Sequence, residues 1–165
     1  MLAICDVHYP PEGGAFAACV TALGWESPTA LSTHRVFVEH VAPYQPGRFF
    51  ERELPPLLAV LALVTPAPEV VVLDGYVWLA EERPGLGAHL HQALQGRAAV
   101  VGVAKTQFPG APAQEVLRGT SHRPLWVTAT GMELHVAAAA VQRMAGPHRL
   151  PALINQVDGL ARRGV

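Results

Sequence analysis

The sequence predicts an α/β fold, a mixed β-sheet with flanking helices, and three observations carry that expectation. Two continuous apolar runs, Glu69 to Gly75 and Ala98 to Ala104, have the uniform apolarity of strands buried on both faces. A short segment of helical character lies between them, so the unit reads strand, helix, strand, a right-handed crossover with parallel strands. Two further apolar segments at the start of the chain are joined by the turn-rich stretch His8 to Gly14 and read as an antiparallel hairpin.

Each element follows in order. Residues 2–9 and 13–23 are the hairpin strands, and a third strand is expected at about 35–41 after the polar stretch Trp25 to Thr33. Pro43-Tyr44-Gln45-Pro46-Gly47 forces a rigid loop. From Glu53, the spacing of Leu54, Leu57, Leu58 and Leu61 predicts a helix whose first turn holds Pro55 and Pro56 and which stops before Pro66. The central strand at 69–75 is followed by a Gly-containing loop from Glu81 to Gly87, a helix at about 87–95 and the second buried strand. Beyond a Pro- and Gly-rich loop at 107–113, short strands are expected near 115–119 and 124–129, then helices over 131–144 and 150–162. There is no internal repeat or linker, so residues 1–165 are expected to form a single domain.

Composition excludes several function classes. With 50% hydrophobic and 15% charged residues the chain is not disordered. No apolar run reaches the roughly 18 to 20 residues that span a bilayer, because Pro55, Pro56, Pro66 and Pro68 interrupt the longest one. The start lacks a basic n-region, and a cytoplasmic location follows by default. Cys5 and Cys19 are too few for a disulfide framework and lack the CxxC spacing of a zinc site. The eight histidines show no HExxH spacing, and no GxSxG motif supports a serine hydrolase. A formal charge of −1 gives no general basic field, leaving room for a local nucleic-acid site but not for non-specific coating.

The rare charged types carry the functional signal. The chain has a single lysine, Lys105, and its aspartates are Asp6, Asp74 and Asp158. Asp6 ends the first apolar strand and Asp74 the central one, and in α/β sheets sites form at the carboxyl ends of strands. Glu53, at the start of a helix, can lean over the same edge. Carboxylates gathered there repel each other unless a hard cation neutralises them, which points to Mg²⁺ or Mn²⁺. Taken singly, each acid is equally a turn residue or an N-cap.

Four motifs in order then carry a family resemblance. Pro43-Tyr44-Gln45-Pro46-Gly47, Arg52-Glu53-Leu54-Pro55, Val72-Leu73-Asp74-Gly75 and Gly102-Val103-Ala104-Lys105-Thr106 resemble the motif series of endonuclease V, a family that cleaves nucleic acid near deaminated adenine, that is, inosine. The resemblance runs from Asp6 to about Asp158. It implies an RNase H-like fold, metal binding by Asp6, Glu53 and Asp74, and Lys105 as an active-site cation. Arg149-Leu150-Pro151 followed by Asp158 resembles the family's RLP segment, with Asp158 in the place of a site His or Asp. Tyr44 matches the family's wedge, where an aromatic face replaces a displaced base. Gly47 and Gly75 would let backbone approach an extruded base, and either also serves as a turn glycine.

The implied activity is Mg²⁺-dependent hydrolysis of a DNA or RNA phosphodiester near a deaminated base, on the 3′ side of the lesion, leaving a 5′-phosphate and a 3′-hydroxyl. This is nucleic-acid repair or processing. The alternatives are a structure-selective nuclease without inosine preference and a non-catalytic nucleic-acid-binding domain of the same fold. The expected partner is the DNA or RNA substrate, with no membrane; a monomer suffices, although nothing in the sequence sets the oligomeric state. Three departures from the family pattern stand out. The helical segment that usually precedes the first catalytic strand is missing, so some packing or nucleic-acid surface is expected to be lost. Tyr76 and Ala80 stand where the loop after the DG motif carries histidines, and Thr128 to Met132 lack the Pro and His of the family's SPGH-like segment. Phe49, Tyr76 and Trp78 offer aromatic faces that accept any base, so a reduced preference for inosine over adenosine or guanosine is expected.

Overall fold

The computed structural model describes residues 1–163; residues 164 and 165, which close the expected 1–165 domain, lie outside the described residues. The elements in chain order are β1 (Leu2–His8), β2 (Ala15–Ala22), β3 (Ser32–Val38), α1 (Phe49–Leu61), β4 (Val70–Asp74), β5 (Trp78–Ala80), β6 (Arg83–Pro84), α2 (Leu86–Ala93), β7 (Ala99–Ala104), β8 (Gln114–Val116), β9 (Leu125–Thr130), α3 (Leu134–Arg143) and α4 (Ala152–Arg162). One seven-stranded sheet has the order β3-β2-β1-β4-β7-β9-β8, and β5 pairs with β6 in a separate small hairpin. β4 is the central strand, parallel to β1 on one side and to β7 on the other, and the remaining pairings of the large sheet are antiparallel. The mixed α/β sheet expected from the sequence is therefore present, with its antiparallel start.

The period of two along each strand divides the core into two layers. Leu2, Ile4, Val72, Val101 and Val103 pack with Ala137, Val141, Leu153 and Val157 of α3 and α4. Ala3, Cys5, Val71, Leu73 and Val100 pack on the opposite face with Leu57 and Val60 of α1 and Leu90 of α2. Continued toward the carboxyl ends, that alternation puts Asp6 in β1, Asp74 at the end of β4 and Lys105 just after β7 on the α4 side of the sheet. Cys5 pairs with Leu73, so Asp6 and Asp74 are the next step in register on adjacent parallel strands.

Three expectations are corrected. α1 starts at Phe49 rather than Glu53, so Pro55 and Pro56 lie inside the helix instead of in its first turn. Neither proline can donate to the carbonyl four residues back, which leaves those of Glu51 and Arg52 without helical partners. No side chain caps this helix at Arg48; instead Arg48 Nε donates to Glu51 Oε1 at 2.9 Å across the first turn. The segment from Glu81 to Gly87 is not a plain loop, because it contains β6 and the turn from β5. The strand expected at 35–41 sits three residues earlier, at Ser32–Val38. No helix among the described residues is long and apolar enough to cross a membrane.

Candidate active site

The carboxyl ends of β1, β4 and β7 and the inner face of α4 enclose a crevice lined by Asp6, Asp74, Lys105, Asn155 and Asp158 over a floor that includes Ile4, Val72 and Val157. Lys105 Nζ donates to Asp74 Oδ2 at 3.0 Å, both groups being about two-fifths exposed (44% and 42%). At that exposure the pair contributes little to stability and is free to exchange partners. Asp158 comes from the second turn of α4, where Arg162 Nε donates to its Oδ1 at 2.9 Å. Leu153, Val157 and Ala161 bury the same helix against the sheet, and this fixes the height at which Asp158 faces Asp6.

Glu53 reaches the group from the opposite layer. α1 buries Leu57 and Val60 against the sheet, and its first two turns extend past the strand ends, carrying Glu53 over the edge. Burial, reinforced by the Asp6 and Asp74 carboxylates, pushes the Glu53 carboxyl up to about 8, with Arg52 opposing the rise. Burial also raises Asp6, to about 6, and the Asp158 and Asp74 charges add to the rise against the backbone N–H of Val7. Both shifts have the same origin: several acids share one poorly solvated edge and disfavour each other's ionisation. Among the described residues, no three His, Cys, Asp or Glu side chains are yet gathered closely enough to hold an ion.

Asp74 also borders a second, open pocket of about 330 Å³, lined by Gly47, Phe49, Phe50, Gly75, Tyr76, Leu79, Arg83, Phe108 and neighbouring backbone. Gly47, Phe49 and Gly75, placed in a nucleic-acid role by the sequence, thus meet in one cavity beside the acids. Gly47 has φ +80° and Gly75 φ +125°, the left-handed region that glycine tolerates. Tyr44 does not line this pocket; it is 61% exposed and meets Phe49 edge-on, with ring centroids 6.2 Å apart. Trp78, expected to offer a face to a base, lines instead a separate cavity with Ala88, His89, His91 and Thr130.

Several other residues at the site make contacts that the sequence reading did not give. Tyr76 is anchored: its hydroxyl donates to the Thr106 carbonyl at 2.7 Å and accepts from the Phe108 N–H at 2.9 Å. Thr128 is buried and accepts from the Val77 N–H at 2.8 Å, tying the loop after Asp74 to β9. Arg118 is 6% exposed and donates to the carbonyls of Gln142, Met144, Gly146, His148 and Arg149, gathering the segment between α3 and α4. Arg149 in turn donates to the carbonyls of Lys105 and Pro124. The guanidinium of Arg52 lies 3.9 Å over the ring of Tyr9, which packs it beside Glu53. Arg52, Tyr76, Thr128 and Arg149 lie in segments singled out from the sequence, whereas Arg118 carried no signal.

Comparison with known proteins agrees with this fold. The endonuclease V of Xylella fastidiosa strain Temecula1 is 29% identical over 99% of this chain and 76% of its own length. That of Xanthomonas campestris pv. campestris strain B100 is 36% identical over 67% of this chain and 46% of its own length. Among solved structures, the Streptomyces avermitilis endonuclease V superposes with a TM-score of 0.79 at 28% identity, covering 98% of this chain and 79% of the other. The Ciona intestinalis endonuclease V (D234N), in complex with a 23mer DNA containing an inosine followed by a ribo-adenosine, superposes at 0.81 and 20% identity over 98% and 83% of the two chains. These structures share the RNase H-like fold, which is also the fold of this protein. With the endonuclease V family profile matching residues 1–139 on top of these likenesses, the chain belongs to the endonuclease V family of nucleases.

Proposed function

We propose that the protein is a divalent-cation-dependent endonuclease that hydrolyses a phosphodiester of DNA or RNA near an inosine, with Asp6, Glu53, Asp74, Lys105 and Asp158 as its catalytic residues. The observation that carries this reading is the convergence of four carboxylates and one lysine at a single sheet edge from five separate parts of the chain. The donor set fits Mg²⁺ or Mn²⁺. All its members are hard oxygen ligands, and the raised carboxyls of Asp6 and Glu53 are the signature of charge that a cation would neutralise. Asp6, Glu53 and Asp74 would hold it, drawn together from their present spacing. The bound cation would supply charge neutralisation at the scissile phosphate and an activated water.

The remaining work falls to the chain's own side chains. Lys105, released from Asp74, places its ammonium beside the phosphate and offsets the charge that builds there during attack. Asp158, already shared with Arg162, orients water from the α4 side. The pocket bounded by Phe49, Gly47 and Gly75 receives the extruded base, and Tyr44 at its rim occupies the gap left in the stack. The relatives named above support the nucleic-acid substrate, and the Ciona intestinalis complex supports an inosine-containing one.

Cleavage of matched oligonucleotides with and without one inosine, in DNA and RNA forms and with Mg²⁺ or chelator, tests the proposal. Nicking that requires the cation, and that is lost when adenosine replaces the inosine in a strand free of guanosine, is expected. Cutting in excess chelator, or indifference to the modified base, would overturn the corresponding half of it.

A further inference from the structure

The base pocket contains a cation that the motif series does not account for. Among the described residues lining it, Arg83 is the sole positively charged side chain, and Asp74, which belongs to the neighbouring crevice, is the sole negative one. The rest of the wall is aromatic or aliphatic: Phe49, Phe50, Tyr76, Leu79, Leu86 and Phe108. Arg83 stands on β6, in the small hairpin with β5, and its guanidinium carbon lies 5.9 Å from the ring centroid of Phe108, another lining residue. The chain that follows the hairpin is closely packed. A Cβ on Gly85 would come to 2.5 Å from the Tyr76 carbonyl oxygen, and one on Gly87 to 2.7 Å from Val77 Cγ2, so the chain on either side of Leu86 is seated directly on the loop that follows Asp74. Gly85 N–H donates to the Val77 carbonyl at 2.8 Å and holds that seat.

We propose that Arg83 is a specificity-determining residue that makes the pocket select 6-oxopurines, hypoxanthine and guanine alike, over adenine. The inference rests on the reading of this pocket as the seat of an extruded base. A guanidinium offers a planar fork of donors and no acceptor. The O6/N7 edge of an oxopurine presents two acceptors to such a fork, whereas adenine presents an N6 amine donor beside N7. A flat aromatic lining accepts either ring, so the donor fork is the element that separates them. Hypoxanthine and guanine differ only at the 2-position, on the other side of the ring, and Arg83 does not distinguish them. The weakened discrimination expected from the sequence therefore divides in two: it is lost between inosine and guanosine and kept against adenosine.

Single-stranded oligonucleotides carrying one inosine, guanosine or adenosine in an otherwise pyrimidine sequence test this, because no base pair then biases extrusion. Affinity is read by fluorescence anisotropy in Ca²⁺ and cleavage by single-turnover rates in Mg²⁺, for the wild type, Arg83→Met and Arg83→Gln. The wild type should bind the inosine and guanosine strands within about threefold of each other and about tenfold more tightly than the adenosine strand. Arg83→Met should bring all three together by weakening only the oxopurine strands. Arg83→Gln should favour adenosine, since a carboxamide pairs with the N6/N7 edge of adenine. An equal loss on all three strands would assign Arg83 to a phosphate and overturn the proposal, as would unchanged ratios in both variants or no measurable binding of any strand. Base-selective binding without cleavage would leave the proposal standing and remove the nuclease reading alone.

Discussion

Gly102 in β7 lies so close beneath Gly75, the residue after Asp74, that a Cβ at position 102 would collide with the Gly75 carbonyl oxygen and approach Thr128 Oγ1 to 2.8 Å. The Gly75 N–H donates to the Val103 carbonyl at 3.2 Å, so the two segments are held together as well as pressed together. Gly102→Ala should therefore lift the loop from the sheet and cost about 2 to 3 kcal/mol, the upper range for overpacking against backbone that cannot yield. Thermal melting of the variant checks the cost, and a loss under about 0.5 kcal/mol would mean that the loop moves freely.

Asp74→Asn should reduce cleavage by at least about a hundredfold while leaving the melting temperature nearly unchanged. The amide keeps the shape of the carboxylate and removes the charge that attracts a hard cation and Lys105. The ion pair with Lys105 is exposed, so its loss costs little stability. Asp6→Asn and Glu53→Gln should follow the same pattern in activity. Full cleavage by any of them would take that residue out of the catalytic set.

The raised carboxyls give stability a pH dependence of definite sign. A carboxyl whose folded pKa exceeds its unfolded value binds more protons in the folded chain. Its contribution is fully present below about pH 4 and is lost as pH rises through about 6 for Asp6 and about 8 for Glu53. In chelator, Glu53→Gln should gain melting temperature over the wild type at pH 8.5 and little at pH 5, and added Mg²⁺ should shrink the gain at high pH. A difference independent of pH would show that Glu53 ionises without penalty.

Arg149→Gln should lower turnover about tenfold with a small change in KM. Its guanidinium holds the backbone carbonyl of Lys105, so the substitution leaves the lysine charge in place but loosens the strand end that aims it. Arg118→Met, which strips a donor from five carbonyls, should cost about 3 kcal/mol and act on stability first. Steady-state kinetics and denaturant melts on the two variants separate aim from support.

Tyr44→Ala should reduce cleavage of an inosine in a duplex more than cleavage of one in a flexible single strand. Stacking of a base on an aromatic ring is worth about 1 to 3 kcal/mol, and only the duplex needs the gap refilled. The ring is exposed and free for that use. Equal losses on both substrates would mark it as support for Phe49.

Asp6 and Asp74 were legible as acids at strand ends, and Lys105 as the single lysine, in a motif that resembles the family's; that the three share one face follows from the alternation seen in the folded strands. Glu53 was legible as a residue but not in its setting. The first turn of α1 has no side-chain cap at Arg48 to announce it, and its prolines suggested a later start. The β5–β6 hairpin is too short to show a pattern of its own; it exists because Gly85, Gly87 and Gly102 leave room for the loop beneath it. Trp78 was misplaced for the same reason. Its direction is set by that hairpin, which turns it toward His89 and His91. Arg118 is one of many arginines in the sequence, and its burial depends on carbonyls that only the folded segment 142–149 gathers in one place.

The packing of α4 on β1 and β2 joins the last helix of the described residues to the first hairpin of the chain. During synthesis the amino-terminal hairpin emerges first and forms from local pairing, but β1 cannot acquire its parallel neighbour β4 until some seventy residues have followed. Asp158 meets Asp6 later still, once α4 has followed and packed on β1. A chain in progress therefore carries an incomplete acidic edge. Under the assignment proposed for Asp158, a chain in which α4 has not yet packed on β1 lacks one acid of the site and should cleave poorly.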